Sequence, residues 1–169
     1  MCSSDLGLEW YFHPGSVVGV GLFRKDVKNF IVPVTRDQQL TIGGNTVTVR
    51  NFSTSANGRN GVSKGIEVYA QHTLDFGLGF QANFTYNDTN MAAVILDGKE
   101  IARSPLVGSA KTQLNATVFY ESDKFLARAS YNRRGELVGG LHNGLSIYSE
   151  PYQQVDLNVA YNITKQLVL

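Results

Sequence analysis

The feature that most constrains this chain is a two-residue alternation of apolar and polar side chains, repeated in short segments from one end to the other. In Phe80-Gln81-Ala82-Asn83-Phe84-Thr85-Tyr86-Asn87, the residues Phe80, Ala82, Phe84 and Tyr86 alternate with Gln81, Asn83, Thr85 and Asn87. Side chains along an extended strand point to opposite faces in turn, so the pattern predicts strands with one apolar and one polar face. Val155, Leu157, Val159 and Tyr161 stand in the same way against Gln154, Asp156 and Asn158. Leu114, Ala116, Val118 and Tyr120 oppose Gln113, Asn115 and Thr117, and Phe125, Ala127, Ala129 and Tyr131 oppose Arg128, Ser130 and Asn132. Ile66, Val68 and Ala70 oppose Glu67, Tyr69 and Gln71, and Leu8, Trp10 and Phe12 oppose Glu9, Tyr11 and His13. The run from Val17 to Val34 is less regular, with Val18, Val20 and Leu22 on one face, and Leu167-Val168-Leu169 begins a further strand. The expectation is about eight strands, several near the roughly 9–11 residues that cross a bilayer at a tilt.

The connections sort by length. Short turns are expected at Pro14-Gly15-Ser16, Asp75-Phe76-Gly77, Glu121-Ser122-Asp123-Lys124 and Asn162-Ile163-Thr164-Lys165. Long links, 35–63, 91–109 and 135–150, lie between them, and the first contains an alternating Thr46-Val47-Thr48-Val49 that suits a small hairpin. Short turns at the periplasmic end and long loops outside are the arrangement of a transmembrane barrel. The polar faces carry Gln, Asn, Thr, Asp, Glu and Arg in numbers that a dry core does not accept, which favours a wet or plugged lumen. Tyr86, Tyr120, Tyr131 and Tyr161 end or approach the ends of apolar faces, where an aromatic girdle belongs. The fold class expected is therefore all-β: an antiparallel transmembrane barrel, of which this chain supplies a part. A soluble antiparallel sheet with one solvated face is the competing reading of the same alternation.

Composition narrows the partners. The formal net charge is +1 and charged residues make up 17%, so no basic field argues for nucleic acid. No apolar stretch reaches the roughly 20 residues of a membrane-spanning helix, a criterion that barrel strands evade because they alternate.

Several segments resemble the barrel of TonB-dependent receptors: Leu8-Glu9-Trp10-Tyr11-Phe12, Leu22 through Ile31, Lys64-Gly65-Ile66-Glu67, Ala82 through Tyr86, Asn115 through Tyr120, Ala127 through Arg134, and Gln153 through Asn158. None is specific alone, but their order and spacing cover nearly the whole chain after residue 7. The resemblance implies a 22-stranded plugged barrel in the bacterial outer membrane. It also implies a plug domain, contact with TonB, and uptake of a scarce large nutrient such as a siderophore, cobalamin or oligosaccharide. On this reading residues 7–169 are a C-terminal portion of the barrel, truncated at both ends. Residues 1–6, Met-Cys-Ser-Ser-Asp-Leu, read as the translation of a sequencing-adaptor tail. A plug-less porin or adhesin-like barrel and a soluble β binding module are the alternatives.

No catalytic constellation, cofactor or metal site is expected. His13 and His72 sit beside short turns, where an interfacial role suits them, and His142 lies in a long link. Ser130 and His142 are the only Ser/His candidates for barrel-enzyme chemistry, and their spacing does not support it. Ligand contacts are expected in the link 35–63, from Asn51, Phe52, Asn57, Arg59 and Asn60. Glu67 and Arg128, on inward faces, are expected to pair across the lumen or to hold a plug. The expected partners are outer-membrane lipid, the plug, the TonB complex and a small-molecule or oligosaccharide ligand.

Overall fold

A computed structural model of the chain describes residues 2–164 and residue 169. Seven long strands form one antiparallel sheet: β1 (Cys2–His13), β2 (Ser16–Val27), β5 (Gly61–Thr73), β6 (Leu78–Thr89), β9 (Thr112–Glu121), β10 (Phe125–Arg134) and β13 (Tyr152–Tyr161), in that spatial order. They are the seven alternating segments of the sequence. The further strand expected from Leu167 falls mostly among positions 165–168, outside the described residues. The irregular run 17–34 divides into two strands at Lys28-Asn29, where Asn29 takes φ 56° and turns the chain out of the sheet.

The register keeps one chemistry on each face. Leu8, Val20, Val68, Phe84 and Leu114 lie side by side across five strands. Farther along, Val118, Ala129 and Leu157 do the same. Among the described residues nothing covers this apolar face: Leu8 is 72% exposed and Leu157 is 77% exposed. The opposite face carries a polar row running Glu9, Gly19, Tyr69, Asn83, Asn115, Asn132 and Gln154. Its Asn115 amide donates to Asn83 at 2.7 Å, and Thr117 meets Ser130 at 2.9 Å. A sheet without a buried face cannot be stabilised by water alone. Its apolar face is suited to hydrocarbon and its polar face to a wet lumen.

The three long links are not open loops. Each contains a hairpin: β3 (Phe30–Ile42) with β4 (Asn45–Arg59), β7 (Ala92–Leu96) with β8 (Lys99–Ser104), and β11 (Leu137–His142) with β12 (Leu145–Ser149). The hairpins join edge to edge into a second sheet, ordered β12-β11-β3-β4-β7-β8, in which β11 meets β3 in parallel. All the buried apolar residues among those described belong to this second sheet and the links beside it. Its core is Val32, Val34, Ala56, Val94 and Leu141, flanked by Phe30, Leu96, Ile101, Ala102 and Val107. The water-stabilised part of the molecule is therefore the extracellular part.

Candidate functional site: the extracellular sheet and the luminal wall

The side chains expected to contact ligand lie on β4 and just past its end, not in a loose loop. Alternation on β4 turns Phe52, Thr54, Ala56 and Gly58 inward, while Asn51, Ser53, Ser55, Asn57 and Arg59 are exposed. Phe52 is thus half-buried and faces the core side. Asn51 and Asn60 have left-handed backbones, φ 53° and 56°. The Asn51 N–H donates to Asp37 Oδ1 at 2.9 Å beside the register shift between β3 and β4. The Asn60 carbonyl accepts from Asn90 Nδ2 at 2.9 Å, and Asn90 Oδ1 accepts from the Val62 N–H at 2.6 Å. Asn51 and Asn60 therefore shape the frame.

Asn57 and Arg59 remain as exposed polar side chains on the outer face. They stand opposite Ile95 and Ala93 of β7, which stand opposite Glu100 and Arg103 of β8. Arg59 and Arg103 consequently occupy one row with only Ala93 between them. Arg103 Nε donates to Glu100 Oε1 at 3.0 Å, whereas Arg59 has no polar partner among the described residues. Sequence reasoning missed Arg103, Ile31 and Ile95 on this face, because only the cross-strand register brings the separate links together.

On the wall, Glu67 and Arg128 both stand on the polar side, far apart. Glu67 shares its row with Gly21, Thr85, Gln113 and Arg134, while Arg128 shares its row with Phe119 and Asn158 near the short turns. They do not pair with each other. Between the β5, β6 and β9 walls a polar groove of about 600 Å³ is lined by Glu67, Tyr69, Gln71, Gln81, Asn83 and Gln113, among others. Glu9 does gather partners, its carboxylate accepting the hydroxyls of Tyr11 and Tyr69. Tyr69 reaches from β5 across β2 to β1 because its ring lies over Gly19, where a Cβ would stand 2.3 Å from the ring.

The histidines separate. His142 ends β11, opposite Thr35 of β3, remote from Ser130 on β10. The Ser130 hydroxyl is instead engaged with Thr117. His13 and His72 come together near the first two short turns, with ring centres 6.2 Å apart. Tyr120 and Phe125 meet at 6.3 Å beside the third turn, and Tyr161 lies opposite Phe125, which forms the aromatic border expected at a membrane edge.

Comparison with known proteins agrees with this geometry. The model of the TonB dependent receptor-like β-barrel family matches residues 3–169. The ferric enterobactin receptor PfeA of Pseudomonas aeruginosa, in a mutant form, superposes with TM-score 0.61 at 21% identity, covering 98% of this chain and 24% of that one. A second mutant structure of the same receptor gives TM-score 0.60 at 21% identity, with the same coverage. The siderophore receptor PirA of Acinetobacter baumannii gives TM-score 0.58 at 20% identity, covering 97% of this chain and 26% of that one. The chain thus spans about a quarter of the length of these receptors. No curated protein matched. With uncovered apolar and polar faces, length-sorted connections and a family match over almost its whole length, the chain belongs to the TonB-dependent receptor-like β-barrels of the outer membrane.

Proposed function

We propose that this chain is barrel wall and extracellular surface of a receptor that takes up a large, scarce nutrient with energy supplied through TonB, and that the nutrient is a ferric siderophore. The observation that carries the reading is the exposed face holding Asn57, Arg59 and Arg103 beside Ile31 and Ile95. Guanidinium groups next to apolar side chains suit an anionic, partly apolar chelate. The structures most like it include a ferric enterobactin receptor and a siderophore receptor, which favours a siderophore over cobalamin or an oligosaccharide. On the same reading, Glu67 and Arg128 contact a plug domain at two heights of the lumen, and no covalent chemistry is involved.

The test is ligand binding by the full-length gene product. Arg59→Ala removes one charge-assisted contact and is expected to weaken ferric siderophore binding roughly tenfold or more, from about 1.5–3 kcal/mol. Glu67→Gln is expected to leave that affinity unchanged while making plug cysteines more reactive to a thiol label. Unchanged affinity in Arg59→Ala would remove this face from the ligand site. Unchanged plug reactivity in Glu67→Gln would remove Glu67 from the plug contact.

A further inference from the structure

The strands β1 and β2 do not meet evenly at their turn. Trp10 stands opposite Val18, but His13 stands opposite Ser16, so three steps on β1 match two on β2. The extra residue is a β-bulge, a device that re-aims a side chain at a barrel rim. Strict alternation would leave His13 on the luminal side with Glu9 and Tyr11. The bulge moves it to the outward face, level with Ser16, and the Ser16 hydroxyl in turn meets His72 of β5 at 2.6 Å. Three polar groups are thereby collected at the periplasmic end of the apolar face, edged by Phe12 and Phe80, whose rings lie 5.6 and 6.2 Å from that of His72.

Both imidazoles are held through the same nitrogen. His13 Nδ1 lies 3.0 Å from the Pro14 carbonyl oxygen. A carbonyl only accepts, so Nδ1 carries the proton and, in the neutral ring, Nε2 presents a lone pair. His72 Nδ1 lies 2.6 Å from Ser16 Oγ, and Ser16 is 3% exposed. A hydroxyl both donates and accepts, so His72 can take the tautomer that donates Nδ1–H to Ser16 Oγ and leaves Nε2 a lone pair. Neither Nε2 has a polar partner among the described residues. A ring whose Nδ1–H is anchored on oxygen and whose Nε2 is free is oriented as a metal-binding histidine is. Two metal–imidazole bonds of about 2.0–2.1 Å, plus the offset of each nitrogen within its ring, allow ring centres up to roughly 6 Å apart. That limit belongs to an in-line pair, whereas a tetrahedral angle brings ring centres to about 5 Å; from the observed 6.2 Å, exposed His13 must therefore close by about 1 Å.

We propose that His13 and His72 form a two-imidazole site for a divalent transition-metal ion, with Ser16 as the residue that positions His72 and water completing the coordination. Imidazole nitrogen selects copper, zinc or nickel over magnesium and calcium, and the order of affinities makes Cu2+ the most sensitive probe. Two protein ligands give a weak, exchangeable site. It would tie the β1–β2 turn to β5 on the side facing the inner leaflet.

The experiment titrates Cu2+ into the full-length gene product folded in detergent, with folding checked by heat-dependent gel mobility. The wild type is expected to bind one equivalent more than His13→Ala, His72→Ala and the double variant, and these three should be alike. Ser16→Ala should keep the equivalent but weaken it roughly tenfold. Equal stoichiometry in the wild type and His72→Ala would overturn the proposal, as would loss in His72→Ala with retention in His13→Ala. If the variants do not fold, the wild type decides the matter. Cu2+ should protect both His13 and His72 from diethylpyrocarbonate, and modification unaffected by Cu2+ would overturn the site.

Discussion

At the scale of single residues, the luminal wall is shaped by rings laid flat on glycine. Tyr69 covers Gly19, Phe23 covers Gly65 and Phe119 covers Gly79, each pair directly opposite in the register. A large aromatic on the polar face would otherwise project into the lumen. Laid on a neighbour without a Cβ, it buries one face and leaves the lumen clear. Gly19→Ala places a methyl group inside the Tyr69 ring and breaks the reach of its hydroxyl to Glu9. It should destabilise the folded barrel by about 1–3 kcal/mol. Urea unfolding in detergent measures this, and Tyr69→Ala made on top should restore most of the loss, because the clash has gone. Equal, additive losses would show that the ring does not depend on the glycine. The alternation predicted which side Tyr69 faces. That its ring would lie on Gly19 was not legible, since the partner is 50 residues away and only the register brings it near.

Among the elements, the wall strands and the extracellular strands differ in what their sequences disclose. The wall strands have lipid on one face and a polar lumen on the other, so the two-residue period is sharp and all seven were readable. The extracellular strands answer to a small core and to one another. Ala92-Ala93-Val94-Ile95-Leu96 shows no alternation because both faces of β7 are at least half-covered. On β3 and β4 the register shift beside Asp37 and Asn51 breaks the period midway. The same cause blurred the site. Arg59 and Asn57 could be picked out as polar residues of a long link, but the left-handed backbones of Asn51 and Asn60 and the inward turn of Phe52 follow only from the hairpin. Leu141, 1% exposed, ties β11 to β3 and closes the core of the second sheet. Leu141→Ala should cost about 2–5 kcal/mol. The loss should fall on the extracellular sheet alone, because the wall does not share that core. Hydrogen exchange should show β11 and β12 losing protection while β10 and β13 keep theirs. Equal loss in both pairs would mean that the two sheets unfold as one unit.

At the scale of the whole molecule, the seven-stranded sheet is a membrane wall with lipid against Leu8, Leu157 and their row-mates. The burial pattern carries it: large apolar side chains are exposed along one entire face, while the buried apolar residues among those described sit in the other sheet and the links beside it. The short turns also fall progressively later along the register. Val17, where β2 begins to pair with β5, shares its row with Gln71, Gln81, Thr117, Ser130 and Asp156, whereas the β9–β10 turn ends level with Ala160, four rows on. Strands tilted to a membrane normal give such a stepped rim. The most direct test is cysteine scanning of β13 in the full-length gene product, with Cys2 replaced by Ser and spin labels attached from Gln153 to Ala160 in lipid vesicles. Collision with dissolved oxygen, which concentrates in hydrocarbon, should peak at Val155, Leu157 and Val159. Collision with a water-soluble nickel chelate should peak at Gln154, Asp156 and Asn158. An alternation of period two in opposite phase for the two reagents is the predicted result. Equal access of the nickel chelate to both sets would rule out lipid on that face and make this sheet a water-exposed one.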